Sequence, residues 1–129
     1  MKPIASGKVR EIYAVDDKSL LIVTTDRISA FDVIMPTPVE GKGRILNALS
    51  AFWFEKTKDI VPNHMITVDR AQFPAPFCDE PAFEGRAMLV RRLKMLPVEC
   101  IVMPPRPPPP PLMPDPARSD SFRLLPRDG

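Results

Sequence analysis

Two cations and a glycine open the first segment of this chain that could bind a ligand. In Gly7-Lys8-Val9-Arg10, glycine lets the backbone approach a ligand, and the alternating Lys8 and Arg10 lie on one face of an extended strand. Two such cations could bind phosphate oxygens. Alternating Lys and Arg are also typical of a solvent-exposed strand face, so the local pattern leaves both explanations open.

A second segment, Asp26-Arg27-Ile28-Ser29-Ala30-Phe31-Asp32, combines two carboxylates, a guanidinium and a hydroxyl in a connection between strands. Polar groups in such connections often converge on ligands. Asp and Ser also bond their own backbone in turns, which is the competing explanation. A third segment, Gly41-Lys42-Gly43-Arg44, precedes a helix, where either an anion rests on the free amides or the loop simply caps the helix.

The remaining reactive side chains predict neither a catalytic triad nor a metal site. His64 is the only histidine and has no evident nucleophile partner, so it is expected on the surface. Cys78 and Cys100 lie outside any CxxC or Cys/His cluster. Reduced thiols and an N-terminus without an apolar core predict a cytoplasmic protein.

Charge and hydropathy narrow the classes of partner. The 129 residues include 18 basic and 16 acidic side chains spread along the chain, for a net charge of +2. A nucleic-acid partner is not expected, because no basic stripe is formed. No apolar run approaches the roughly 20 residues that span a bilayer, so no membrane partner is expected either.

The elements that must position these residues follow from hydrophobic periodicity. Residues 8–15 and 20–25 predict an antiparallel hairpin, 31–35 a third strand, and 85–95 and 98–102 two later strands, with 69–84 irregular. Residues 44–58 predict a helix whose packed face carries Ile45, Leu46, Leu49, Phe52 and Trp53. The fold class is therefore α+β, an antiparallel sheet with one packed helix.

A change in composition after Val102 predicts the domain boundary. Ten of the 18 prolines lie between Pro104 and Pro126, and proline supplies no amide donor and fixes its own φ. We expect residues 1–102 to form one lobe and residues 103–129 to be a disordered or polyproline II tail.

Several segments together resemble the SAICAR synthetase (phosphoribosylaminoimidazole-succinocarboxamide synthase) family. The similarity covers residues 6–102 and rests on the three segments above, on Ser50-Ala51-Phe52-Trp53-Phe54 and on the later block Leu96-Pro97-Val98-Glu99-Cys100. The family uses ATP and Mg²⁺ to join L-aspartate to 5-amino-1-(5-phosphoribosyl)imidazole-4-carboxylate (CAIR). Its first domain is similar to the small lobe of protein kinases.

The resemblance also implies roles for individual residues. Lys8 and Arg10 would bind the ATP phosphates, while Ile12, Leu21 and Met95 would form an apolar slot around adenine. Ser29, Asp32 and Lys42 would face the substrate cleft, and Asn47 is a further candidate. The resemblance assigns no catalytic residue and no metal ligand to this chain, and it leaves the oligomeric state undetermined.

After Val102 the sequence departs from the family pattern. Met103-Pro104-Pro105-Arg106 stands where the family has substrate-binding residues, and the later Asp-x-Lys-x-Glu-Phe signature is not present. We therefore expect this chain to be inactive alone. The alternative is a non-catalytic protein that binds a nucleotide or recruits a partner through its proline tail.

Overall fold

An antiparallel sheet of five strands organises residues 1–98, which are the residues that the computed structural model describes. Residues Met1–Met95 form one compact unit, and residues 96–98 are exposed and irregular. The elements in chain order are β1 Ala5–Ser6, β2 Arg10–Ala14, β3 Ser19–Thr24, β4 Ser29–Ala30, β5 Val33–Ile34, α1 Lys42–Lys56, β6 Met65–Thr67 and β7 Ala87–Arg91. The sheet order is β1-β2-β3-β7-β6, and a separate two-stranded ribbon contains β4 and β5. The expected antiparallel sheet with one helix is confirmed for the described residues.

The hairpin of β2 and β3 sets which side chains share a face of the sheet. Its register pairs Ile12 with Ile22 and Tyr13 with Leu21. Because successive side chains of a strand point to opposite faces, Ile12 and Ile22 lie on one face and Tyr13 and Leu21 on the other. The turn between the strands is stabilised by Asp16, whose carboxylate accepts the Lys18 amide at 2.7 Å.

One face, here called the aromatic face, carries the hydrophobic core. Tyr13, Leu21, Val23, Ala87 and Leu89 of the sheet pack there against three phenylalanines of the connection between β6 and β7. These phenylalanines are Phe73, Phe77 and Phe83. The connection was expected to be irregular, and it consists of three short 3₁₀ turns at Arg70–Gln72, Phe77–Asp79 and Pro81–Phe83. Its aromatic side chains remove the apolar residues of the sheet from water.

The opposite face, here called the helix face, carries Arg10, Ile12, Ile22, Thr24 and Met88. Helix α1 packs against β3, and its two buried residues are small or polar. They are Gly43 and Asn47, and the Asn47 amide nitrogen donates to the carbonyl oxygens of Gly85 and Ala87, both at 3.1 Å. The absence of a side chain at Gly43 allows a close approach, and the Asn47 amide then bonds the helix to the sheet.

The prediction of which helix face packs against the sheet is wrong. Ile45, Leu49, Phe52 and Trp53 are exposed, Trp53 by 57%, and only Leu46 of the predicted set is half-buried. The helix also begins and ends two residues earlier than residues 44–58. The apolar spacing identified a helix correctly, but the close approach at Gly43 turns the apolar stripe away from the sheet.

Two other predicted elements differ from the observed ones. The expected strand at 31–35 is a ribbon of β4 and β5 whose turn contains Phe31 and Asp32, both with positive φ, at 47° and 66°. Residues 85–95 contain a shorter strand, β7, and its short neighbour β6 was not predicted. The predicted strand 98–102 lies outside the described residues except for Val98, and the predicted proline-rich tail at 103–129 lies outside them entirely.

Replacing Gly43 with alanine tests the close contact between helix and sheet. An added Cβ would overlap the Thr24 carbonyl oxygen and lie 3.1 Å from Asp26 Oδ1. We expect Gly43→Ala to lower the free energy of unfolding by about 1–3 kcal/mol, measured in urea. Gly7→Ala is the control, because its Cβ would be 3.6 Å from the nearest atom. Equal stability of the two variants would contradict the close packing.

The stability of the fold should also depend on pH through His64. This imidazole stacks edge-on against Phe54, with ring centroids 5.2 Å apart, and burial lowers its pKa below the ordinary value of 6.5. The unfolded chain therefore takes up a proton near pH 6.5 before the folded chain does, so stability is lost as pH falls below that value.

We expect the midpoint of thermal unfolding of the wild-type chain to decrease between pH 7 and pH 5. The midpoint of the His64→Gln variant should decrease less over the same interval. Because His64 is the only histidine, few other groups titrate in this window. The carboxyl group of Asp26 has its pKa lowered from 3.8 and acts only at more acidic pH. The same decrease in both proteins would show that His64 is not responsible.

Candidate functional site

Three segments that are distant in sequence meet at one end of the sheet and form what we call the rim. They are the bend at residues 7–10, the loop at residues 25–32 and the first turn of α1 at residues 41–43. The Val9 carbonyl oxygen joins the first two, since it accepts bonds from both the amide and the hydroxyl of Thr25 at 2.9 Å. The fold thus brings together the three polar segments that were predicted as candidate ligand-binding segments.

Asp26 connects this loop to the helix and to the sheet. Its Oδ1 accepts the Gly43 amide at 2.8 Å, and its Oδ2 lies 3.2 Å from Arg86 Nη2. The bond from the Gly43 amide, followed by the neighbouring Arg86 guanidinium, lowers the pKa of this carboxyl group. The anion at the start of α1 is therefore a side chain of the protein, which supports the capping explanation for this segment.

Lys8 and Asp32 form an ion pair across the rim, with Lys8 Nζ 2.5 Å from Asp32 Oδ1. Side-chain exposures of 48% and 89% mean that water screens this pair, and exposed pairs contribute only about 0–1 kcal/mol. The free energy needed to separate Lys8 from Asp32 is therefore small, so Lys8 can pair instead with a more highly charged ligand. The predicted nucleotide residue and the predicted substrate residue are neighbours in the fold.

Arg10 ends the bend and begins β2, and its side chain lies with that of Ile12 on the helix face. Arg10 borders a recess of about 90 Å³ that is also lined by Ile22, Thr24, Asn47 and His64. Beside it lies an apolar shelf, which we define as the half-buried side chains of Ile12, Leu20 and Ile22. Phosphate-binding cations and an apolar surface of this kind are the two parts that a nucleotide site needs.

Leu21 is not part of this shelf. It was predicted to line the adenine slot beside Ile12, and the structure places it on the other face of the sheet instead. Its side chain is 0% exposed and belongs to the core of the aromatic face, opposite Ile12. Met95 lies beyond the end of β7 in an irregular stretch and is 85% exposed. Within the described unit, Ile22 occupies the position beside Ile12 that the sequence analysis gave to Leu21.

The other predicted substrate residues lie around the rim. Ser29 is half-buried in β4, and Lys42 donates from Nζ to the Arg27 carbonyl oxygen at 3.0 Å. Asn47 is 5% exposed, and its amide nitrogen bonds to the backbone at the start of β7. The structure thus gives Lys42 and Asn47 contacts that position backbone segments.

Two contributors to the site were not found from the sequence. Ile22 could have been found from strict alternation, because the hairpin register pairs it with Ile12. Arg86 contacts Asp26 across a separation of 60 residues, and no local pattern indicates such a contact. Among residues 1–98, no three His, Cys, Asp or Glu side chains are grouped to hold a metal ion, and no helix has the length and apolar character needed to cross a membrane.

Comparison with known proteins points to one family. The family model described as SAICAR synthetase matches residues 3–104. The chain is 57% identical over 99 residues to the phosphoribosylaminoimidazole-succinocarboxamide synthase of Methylococcus capsulatus, which covers 76% of this chain and 33% of the relative. The chain spans about a third of the length of the curated relatives it matches.

Solved structures share the same fold. SAICAR synthase from Saccharomyces cerevisiae, complexed with SAICAR, superposes with a TM-score of 0.64 at 39% identity, covering 71% of this chain and 33% of that one. A type-2 SAICAR synthetase in complex with ADP superposes with a TM-score of 0.56 at 26% identity, covering 72% of this chain and 34% of that one. The matched family model extends over most of the sequence and includes every residue of the rim, so the chain belongs to the SAICAR synthetase family.

Proposed function

We propose that this chain provides the nucleotide-binding lobe of an enzyme that uses ATP to join L-aspartate to CAIR, giving SAICAR in purine biosynthesis. The observation that carries the proposal is that Arg10 lines a recess together with Ile22 of the apolar shelf, while Lys8 lies two residues earlier in the bend and pairs with Asp32. The shelf would contact adenine, and the two cations would bind the phosphates. The ADP in a related SAICAR synthetase supports a nucleotide as the ligand.

The reaction has two steps. The γ-phosphoryl group of ATP passes to a carboxylate oxygen of CAIR, giving ADP and an acyl phosphate. The aspartate amine then attacks the acyl carbon, loses a proton and displaces phosphate. Lys8 and Arg10 would stabilise charge on the nucleotide phosphates and hold them in line.

Substrate would lie on the rim side of the nucleotide. Ser29 and Asp32 sit on the ribbon that borders Lys8, so a molecule held there would be near the transferred phosphoryl group. We assign CAIR and aspartate to this side and Lys42 to the support of the loop backbone. The SAICAR bound to the yeast relative supports substrates of this class.

Magnesium accompanies ATP in the proposal but receives no ligand from the described residues, which do not fit a metal site. We also propose that the lobe resembles the small lobe of protein kinases, since its α-helix packs on the same face of the sheet as the apolar shelf.

A cytoplasmic location would suit both this metabolic role and Cys78, which forms no disulfide in the described part of the chain. The alternative role for the proline tail concerns residues outside the described part.

Nucleotide binding can be tested by titrating the chain with ADP and following the chemical shifts. Lys8→Gln and Arg10→Gln should each weaken binding about fivefold, because each removes a charge-assisted contact of about 1 kcal/mol at an exposed site. Lys18→Gln is the matched control, since Lys18 precedes β3 at the other end of the hairpin. A uniform loss in all three variants would indicate non-specific attraction.

The assignment of faces predicts a contrast between two neighbouring residues of β3. Ile22→Ala should weaken the binding of adenosine, which has no phosphate, because Ile22 belongs to the shelf. Leu21→Ala should lower the free energy of unfolding by about 2–5 kcal/mol and leave adenosine affinity unchanged per folded molecule. Stronger loss of adenosine binding from Leu21→Ala would place the ligand on the aromatic face.

A further inference from the structure

All three guanidinium nitrogens of Arg27 donate hydrogen bonds on the rim. None of these bonds involves a residue's proposed contact with adenine, phosphate or substrate. Nε donates to the Lys8 carbonyl oxygen at 3.1 Å, Nη2 to the Gly7 carbonyl oxygen at 3.1 Å, and Nη1 to Glu11 Oε1 at 3.2 Å. Two successive carbonyl groups and a carboxylate are therefore held by one rigid, planar side chain.

Glu11 links this guanidinium to the hydrophobic core. Its second oxygen, Oε2, accepts the hydroxyl of Tyr13 at 3.0 Å. The Tyr13 ring in turn lies 5.4 Å from that of Phe83, between centroids. A continuous series of contacts thus runs from the core through Glu11 and Arg27 to the backbone at Gly7 and Lys8.

The bend needs such support because its other restraints are few. Gly7 donates its amide to the Arg10 carbonyl oxygen at 2.8 Å, and Val9 accepts from Thr25. Residues 7–9 are otherwise outside the strands, and glycine adds conformational freedom at the start of the bend. Without further contacts the Lys8 side chain would start from a mobile backbone.

We propose that Arg27 is a positioning residue for the nucleotide phosphates, acting through the backbone of Gly7 and Lys8. The inference rests on the proposed nucleotide site and adds a residue that touches neither adenine nor phosphate in it. Because the ion pair with Glu11 is only partly exposed, with side-chain exposures of 32% and 26%, this support is stronger than a surface pair. A fixed bend reduces the entropy lost when Lys8 binds a ligand.

The test compares ADP with adenosine, using the whole chain and isothermal titration. Arg27→Gln should weaken ADP binding about tenfold and leave adenosine binding unchanged, because only the phosphate-binding bend is released. Arg27→Lys keeps the charge but cannot form the planar fork, so it should recover little of the loss. Equal weakening of both ligands, or full recovery by lysine, would overturn the proposal.

A matched control uses Arg70, which makes a comparable pair of contacts elsewhere. Its Nε lies 2.6 Å from Glu84 Oε2, and Nη1 donates to the Cys78 carbonyl oxygen. Arg70→Gln should therefore leave the affinities for ADP and adenosine unchanged. A loss of ADP binding equal to that of Arg27→Gln would show that general destabilisation is the cause, and would overturn the inference.

A second measurement separates this inference from the proposed function. Backbone ¹⁵N relaxation in the absence of nucleotide should show the order parameters of Gly7 and Lys8 falling below about 0.6 in Arg27→Gln, with Leu21 unchanged. Failure of the wild-type chain to bind ADP would reject the nucleotide site. Unchanged order parameters would reject the role of Arg27, whatever the outcome for ADP.

Discussion

The arrangement of the rim depends on the carboxylate of Asp26. One oxygen accepts the amide at the start of α1, and the other faces the Arg86 guanidinium just before β7. A single anion therefore fixes the helix, the loop after β3 and the entry to β7 in one place. Since these segments also carry Lys42 and Arg27, the positions of these two cations depend on it. The partly buried charge is compensated on both sides, which keeps its desolvation from destabilising the fold.

The two faces of the sheet carry different sets of side chains. Aromatic side chains and β3 residues of odd number form the core, whereas even-numbered positions of β2 and β3 carry Arg10 and the apolar shelf. Alternation along a strand produces this division directly. The long connection between β6 and β7 covers one face, whereas the apolar shelf on the other face is only half-buried.

Local pattern predicted the hairpin of β2 and β3 and the helix, but neither the short strand β6 nor which residues meet. The hairpin, the helix and the polar segments followed from periodicity and turn residues, and the structure brings Lys8, Arg10 and Asp32 to the same end of the sheet. Leu21 was placed on the wrong face because a shift of one residue in a strand exchanges its faces. The helix was oriented wrongly because apolar residues were assumed to face inward, whereas Gly43 and Asn47 make the contact. The pairing of Asp26 with Arg86 is tertiary, and no spacing within either segment indicates it.

The attachment of α1 through glycine and a single amide has a consequence for how this fold opens. The helix buries little apolar surface against the sheet, while β7 is buried on both faces along most of its length and β3 is buried on its aromatic face. The amide protons of α1 can therefore exchange with solvent when the helix alone detaches from the sheet. The amide protons of the central strands exchange only when the sheet unfolds. We therefore expect the helix to open as a separate cooperative unit, and the shape of the recess beside Arg10 depends on that unit remaining attached.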